Sequence, residues 1–392
     1  MRKTFDLIVI GGGVAGAAAA LSAAETGART ALVRAGPGAT ALTSGAWNGR
    51  LPERLGGALA SAGVAYEPCT RALPHPSGDL RPSDHAPPLQ ARARVDDDVL
   101  ICGIVGLAGF HAPALARLWG EACGVDVRSA TLRVDGTPRA GWSPVSLAAA
   151  IEREPLVLAR PLAAAVREHE RARVILPAVL GFDDPLRVAA MLRDAAQCDV
   201  AEALAVLPSI PGWRLATALE RALRAAGVEI IAGRATLDER PSRAGETRID
   251  LLTVETSTSG DGAGKVTLSG AAYVLATGKF AGGGIRADTA FRETALRCPM
   301  CVDVAGRRFD AVEPLVVTSA QRLATQPILA AGVRTDEVGR PIDENGDIVY
   351  ENVWTAGSVR AGTTTVELGL GAAAEDGTRA ATRALEQHGA AR

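Results

Sequence analysis

Three glycines, Gly11, Gly13 and Gly16, stand in the spacing G-x-G-x-x-G within "LIVIGGGVAGAAAAL". Between a strand and a helix this spacing handles phosphate. The first glycine allows a tight turn, the second lets a phosphate reach the backbone, and the third lets helix and strand pack closely. Gly12, Val14 and Ala15 complete the loop. The helix N-terminus offers N–H groups and a partial positive charge to an anion. Two later stretches belong with it: Thr277-Gly278 at the end of "YVLATG", and Gly357-Ser358 in "NVWTAGS", ahead of an Ala-rich helix that enters around Gly369 and Gly371. One residue is out of pattern. Where the second strand ends, 18 residues after Gly16, an Asp or Glu usually meets a ribose; here the residue is Arg34.

A glycine loop, a late T-G and a final A-G before a helix occur in this order in two-domain flavoproteins. A helix N-terminus near Gly369 and Gly371 would stabilise a reduced, anionic flavin ring. Flavoproteins often carry an acid where Ser358 stands. Arg34 has three readings: FAD bound without the ribose contact, NADP with Arg34 on its 2′-phosphate, or FMN, which has no adenosine ribose and whose terminal phosphate a cation would favour. Cys298-Pro-Met-Cys301 is a C-x-x-C, either a redox pair or two reduced bystanders. It has no second C-x-x-C and no nearby His cluster, which excludes a closed zinc site, and the cysteine pattern does not suit an iron–sulfur centre. His75, His85, His111, His169 and His388 show no partner by spacing, so no catalytic base is legible. Arg286, Arg334 and Arg360 are candidate anion binders, and Lys279 follows the T-G turn.

These residues need a scaffold. Residues 5–10 read as a buried strand, 14–27 as an Ala-rich helix stopping at Gly27, and 30–34 as the next strand: a right-handed βαβ unit of a parallel sheet. Residues 99–105, 173–182 and 202–208 read as further strands, with helices at 185–197 and 212–226. Residues 239–265 read as a polar hairpin, 271–276 and 351–358 as late strands, and 369–387 as a final helix. The Pro-rich stretch 68–94, with no apolar period, reads as irregular. The 392 residues, 47% hydrophobic with a net charge of −2, predict an α/β fold: a Rossmann-like, FAD/NAD(P)-binding flavoprotein domain with an inserted second α/β domain. The flavin-binding domain is expected to be discontinuous, over 1–67, 205–290 and 340–392. A Pro-rich segment spans 68–97, and the second domain covers 98–204 and 291–339. The charge balance gives no reason to expect nucleic acid. Six scattered cysteines suit a reduced, cytoplasmic chain. The apolar start is interrupted by glycines and preceded by Asp6, unlike a signal peptide, and 99–116 carries Gly and Pro, unlike a membrane span.

From end to end the chain resembles the B-subunit family of anaerobic glycerol-3-phosphate dehydrogenase. The resemblance lies in "FDLIVIGGGVAGAAAAL", "SGAW", "ICGIVGLAGF", "ILPAVLGFDD", "LPSIPGWRLATALERAL", "VLATGKFAGGGI" and "GVRTDEVGRPI...ENVWTAGSV". It implies a flavoprotein subunit holding FMN noncovalently (FAD being the alternative), with Thr43, Ser44 and Gly45 of the turn after the second strand joining the cofactor contacts. It implies oxidation of sn-glycerol 3-phosphate to dihydroxyacetone phosphate, with electrons passed to a quinone. Its partners would be the FAD-bearing catalytic A-subunit, plus the iron–sulfur C-subunit, at the inner face of the cytoplasmic membrane. Members tend to lack the acid at the Arg34 position, in line with the FMN reading. The C-x-x-C and the Pro-rich stretch depart from the family's pattern. They leave room for a specialised or repurposed member; the alternatives are a self-sufficient FAD- or NAD(P)-dependent oxidoreductase on an unknown small substrate and, given Ser358 and Arg34 at altered cofactor contacts, a non-catalytic assembly subunit with a flavin fold.

Overall fold

A computed structural model describes residues 2–237, 247–256, 264–287, 290–304, 307–310, 326–363 and 365–388. Much of the expected 239–265 hairpin lies outside the described residues. The chain divides into two compact units. The first contains 1–39, 49–55 and 219–392, and the second contains 40–48 and 56–218.

The first unit is built on a seven-stranded sheet. Strand β1 (Arg2–Ile10) runs into helix α1 (Val14–Glu25), which returns to strand β2 (Thr30–Arg34). β1 lies between β2 and the long strand Gly264–Leu275, parallel to both, and Glu229–Ala232 extends the parallel part beyond β2. Val353–Thr355 pairs parallel to Gly264–Leu275, while Leu252–Thr256 and Arg234–Thr236 continue the sheet antiparallel. Apolar β1 residues such as Leu7, Ile8 and Val9 are buried, as strands covered on both faces of a parallel sheet require. Nine α1 residues, mostly alanines, are buried as well. Small side chains let this helix be enclosed: a Cβ on Gly377 of the C-terminal helix (Thr365–Gln387) would lie 2.0 Å from the Ala15 carbonyl oxygen.

The second unit has its own four-stranded sheet, in the order Asp199–Glu202, Arg173–Leu176, Val99–Ile104 and Arg128–Leu132. All neighbours are parallel. Three of its helices begin on side-chain caps. His111 Nδ1 accepts from the Ala114 N–H at 3.3 Å. Ser143 and Ser146 form a reciprocal capping box. Asp184 Oδ1 accepts from the Arg187 N–H at 3.0 Å. Each satisfies donors that a helix start leaves open. Inside the unit, buried Arg214 grips buried Glu202 with two nitrogens, at 2.7 and 3.0 Å, and donates to the Gly181 carbonyl at 2.8 Å.

Several expectations change. The Pro-rich stretch is ordered: Glu67–Pro68 pairs with His85–Ala86, Leu73–Pro74 pairs with Leu80–Arg81, and Pro88–Ala91 forms one helical turn. Leu73, Ala86 and Leu89 are buried there, but two-residue strands are too short to leave a period in the sequence. The strand expected at 173–182 stops at Leu176, because Pro177 has no N–H for the ladder. The strand expected at 202–208 sits at Asp199–Glu202, where pairing with Arg173–Leu176 sets its register. Residues 291–339, grouped by sequence with 98–204, fall in the first unit. Residues 40–48, 56–67 and 205–218 fall in the second. Ladder bonds explain the first difference: Met300–Val304 pairs with Gly332–Val333, and Val333 bridges to Arg360. His75, which seemed to lack a partner, contacts Ser77 and lies 3.4 Å from Asp79 in a local turn.

Candidate functional site

Registers bring the predicted residues of the first unit to one edge. Ile10 is level with Val33 and with Leu275, and Leu275 is level with Thr355. Gly11, Arg34, Thr277 and Gly357 therefore all follow the carboxyl ends of parallel strands, the usual ligand-binding edge of an open α/β sheet. The Gly11 N–H donates to the Val33 carbonyl and the Ala276 N–H to the Ile10 carbonyl, both at 2.8 Å. Gly11 has φ +125°, and a Cβ there would meet the Ala276 oxygen at 2.1 Å; a Cβ on Gly16 would lie 1.9 Å from the Gly11 oxygen. Only glycine fits this approach of loop, helix and neighbouring strand.

α1 begins on Gly13 with no side-chain cap and no acidic residue in its first turn. The Thr277 hydroxyl is buried and has no hydrogen-bond partner among the described residues. A buried polar atom of this kind calls for an unseen partner. A Cβ on Gly278 would lie 3.8 Å from Ser358 Oγ, and one on Gly357 would lie 2.7 Å from the Ala15 side chain. The T-G, the A-G-S and the start of α1 thus form one neighbourhood. The C-terminal helix breaks at Gly369 (φ 62°, ψ 172°). Gly371 lies beyond the break, where a Cβ on Gly49 would approach its Cα to 3.4 Å. Thr43, Ser44 and Gly45 belong to the second unit. There the Ser44 carbonyl accepts from Gln90 at 3.0 Å and from the Ala205 N–H at 2.9 Å, and Ser209 donates to the Thr43 carbonyl.

Arg34 is not a spare cation. Its guanidinium donates to Glu220, whose other oxygen accepts from Arg224 at 2.8 Å. The Arg224 hydrogen bond, with Arg34's beside it, holds the Glu220 carboxyl below the usual range. The aliphatic stem of Arg34 covers the loop: a Cβ on Gly12 would lie 2.9 Å from it. A carboxylate therefore does stand beside the end of β2, brought from 186 residues away. Sequence spacing held no signal for it. Asp376 was also missed. It accepts from the Gly357 N–H at 3.3 Å and from Arg360 at 3.0 and 3.1 Å, supplying a carboxylate next to the position where Ser358 replaces the usual acid.

Of the other candidates, Arg360 is held by Asp376, Arg334 donates to the Asp343 carbonyl at 2.8 Å, and Arg286 is exposed. Cys298 and Cys301 are buried thiols. Lys279 is buried, 4% exposed, with Nζ donating to the Ala331 carbonyl at 2.5 Å. Burial pulls it down to about 8, against a smaller upward pull from Cys301. Among the described residues no group of His, Cys, Asp and Glu could hold a metal ion, and no helix is long and apolar enough to cross a membrane.

A glycine loop and an uncapped helix at the carboxyl edge of a parallel sheet define an α/β nucleotide-binding flavoprotein. Comparison with known proteins specifies it further. The FAD binding domain family matches residues 6–58 and 126–373. The probable B subunit of anaerobic glycerol-3-phosphate dehydrogenase from Halobacterium salinarum is 30% identical over 91% of this chain and 92% of its own length. The B subunit of the Pectobacterium carotovorum anaerobic glycerol-3-phosphate dehydrogenase is 25% identical over 58% of this chain and 66% of its own. A solved 3-ketosteroid delta1-dehydrogenase from Sterolibacterium denitrificans overlays 98% of the chain with a TM-score of 0.42 and 12% identity. The chain belongs to the FAD binding domain family and, within it, to the B-subunit family of anaerobic glycerol-3-phosphate dehydrogenase. It is a flavin-binding protein, and the matching family is one of FAD, not FMN. The expectation of FMN, which leaned on Arg34 as a free cation, loses that support through the Arg34–Glu220 pair.

Proposed function

We propose that the first unit holds FAD noncovalently and that the chain serves as the flavoprotein subunit of a complex oxidising sn-glycerol 3-phosphate to dihydroxyacetone phosphate, with a quinone as final acceptor. The observation that carries the cofactor reading is the uncapped start of α1 at Gly13, with no acid in its first turn, together with the orphaned Thr277 hydroxyl. In this reading Gly11–Gly16 and the α1 N-terminus hold the pyrophosphate. Thr277 gives its hydroxyl to the cofactor, and Glu220, fixed by Arg34 and Arg224, accepts from the adenosine ribose. Gly278, Gly357, Ser358, Gly369 and Gly371 line the rest of the cradle. For Thr43, Ser44 and Gly45, which the second unit carries, a cofactor role rests on the family resemblance. When bound, the flavin supplies two-electron acceptance from the alcohol and onward transfer. The substrate rests on the same resemblance, as do the two partners, an iron–sulfur subunit together with a catalytic one that bears its own FAD. No spacing in the sequence points to a base for the alcohol proton, and in this reading the base is contributed elsewhere in the complex.

Two measurements test this. Denaturing the purified chain and separating the released nucleotide should give stoichiometric FAD; FMN would return the cofactor reading to the shorter flavin, and no flavin would overturn it. Dye reduction driven by glycerol 3-phosphate should appear with the co-expressed complex and be absent without it. Turnover of another substrate by the isolated chain would overturn the subunit reading.

A further inference from the structure

The second unit contains a cavity of about 490 Å³ that the flavin reading does not use. Five arginines line it, Arg71, Arg92, Arg94, Arg173 and Arg193, against one carboxylate, Asp199. Three of the five come from the Pro-rich segment 68–97. The sheet supplies the next: Arg173 and Asp199 open neighbouring parallel strands and are in register. The Pro185–Ala196 helix supplies the last. Leu186, Ala189, Ala190 and Arg193 all line the cavity, and their i, i+3, i+4, i+7 spacing puts them on one stripe. Leu89 and Val200 complete an apolar floor beneath the arginines.

The local acids leave much of this charge unanswered. Asp96 takes one nitrogen of Arg94 at 2.8 Å and one of Arg173 at 2.7 Å. Glu67 reaches Arg92 only at 3.5 Å, and Asp194 reaches Arg193 only at 3.7 Å. No carboxylate among the described residues pairs with Arg71 within ion-pair distance. Five guanidinium groups around one concavity repel one another unless an anion sits among them. Guanidinium forks match the oxygens of phosphate, and several forks together suit a dianion with three acceptor oxygens better than a single carboxylate. The volume falls in the range of small-molecule sites, and the apolar floor suits an uncharged body attached to the anion.

We propose that this cavity binds a phosphomonoester with an apolar body, either a soluble organic phosphate or the head group of an anionic lipid. The site belongs to the second unit, and its occupancy does not depend on the flavin.

The test uses the full flavin-loaded chain. Equilibrium titration with 1-naphthyl phosphate should saturate at one site, and raising the salt from low to high should weaken binding severalfold. 1-Naphthol should bind at least tenfold more weakly. In the double variant Arg71→Ser/Arg193→Ser, affinity for 1-naphthyl phosphate should fall at least tenfold, with flavin content and melting temperature unchanged. A second arm separates the sources. Sedimentation with phosphatidic acid vesicles, but not with phosphatidylcholine vesicles, that is lost in the double variant assigns the lipid head group. Saturable binding of the soluble phosphate with no vesicle binding assigns the soluble ester. The proposal is overturned if neither probe binds, if 1-naphthol binds as tightly as its phosphate, or if the double variant binds as the parent does.

Discussion

Both units set helices against sheets with parallel strands, yet key helices in the two start differently. In the second unit three starts are sealed: His111, Ser143 and Asp184 each accept from a backbone N–H within the first turn, while the Leu156–His169 helix starts on Pro155 without a side-chain cap. In the first unit α1 starts on Gly13, which has no side chain to give. A helix start carries unpaired donors and about half a positive charge. A side-chain cap uses that potential internally; a glycine leaves it for a ligand. The α1 start, unlike the three capped ones, keeps its donors available to an anion. The units also differ in how they treat buried charge. Arg214 and Glu202 neutralise each other completely in the second, whereas the first buries Lys279 against a single carbonyl.

The largest effect should come from breaking the buried pair. Glu202→Gln leaves the Arg214 guanidinium buried without its carboxylate, and should destabilise by about 3–5 kcal/mol, read by urea unfolding. A change under about 1 kcal/mol would show that the pair is solvated in solution. Lys279 gives the next effect. Its folded pKa of about 8 lies below the unfolded value of about 10.4, so the unfolded chain holds more protons between those values. Stability should therefore rise with pH across that window and be flat below it, by about 3 kcal/mol in total. Lys279→Met should remove the rise and stabilise the protein at neutral pH; paired unfolding curves at about pH 7.5 and about pH 9.5, just below and well inside that window, decide it. Giving α1 the cap it lacks sharpens the comparison directly. Gly13 has an ordinary extended backbone, with φ −77°, so Gly13→Asp should leave unfolding of the apoprotein nearly unchanged. Flavin retention should fall by about tenfold, or about 1.4 kcal/mol, as a carboxylate takes the anion's place. Retained flavin at parental level would mean that the phosphate sits elsewhere. The smallest effect is the converse: Asp184→Ala should cost about 1 kcal/mol and leave flavin content unaltered.

The parts of the site that read correctly are those written in adjacent residues. G-x-G-x-x-G, T-G and A-G-S each compress a turn into a few positions, and each lies at the strand end where its pattern placed it. Longer elements were legible where one covering face dictated a long apolar or periodic run, as in β1, α1 and the Pro185–Ala196 helix. The two-residue hairpins of the Pro-rich segment were not, because burial of Leu73 and Ala86 leaves no repeating pattern. Glu220 and Asp376 were invisible for a different reason. A carboxylate can serve a site from any distance along the chain, and nothing local records which site it serves.

Arg34 shows the boundary between the two kinds of information. By itself the sequence determined that a glycine-rich βαβ unit opens the chain and that a cation ends its second strand, because turn geometry and hydrophobic runs are local. Only the tertiary structure decided what that cation means. Folding brings Glu220 to Arg34, tying an apparent anion-binding charge to a carboxylate and placing an acid beside the end of β2. It likewise gathers five arginines from three stretches of chain around one cavity. Electrostatic partnership depends on distance through space, and distance through space is what the linear order of residues does not contain.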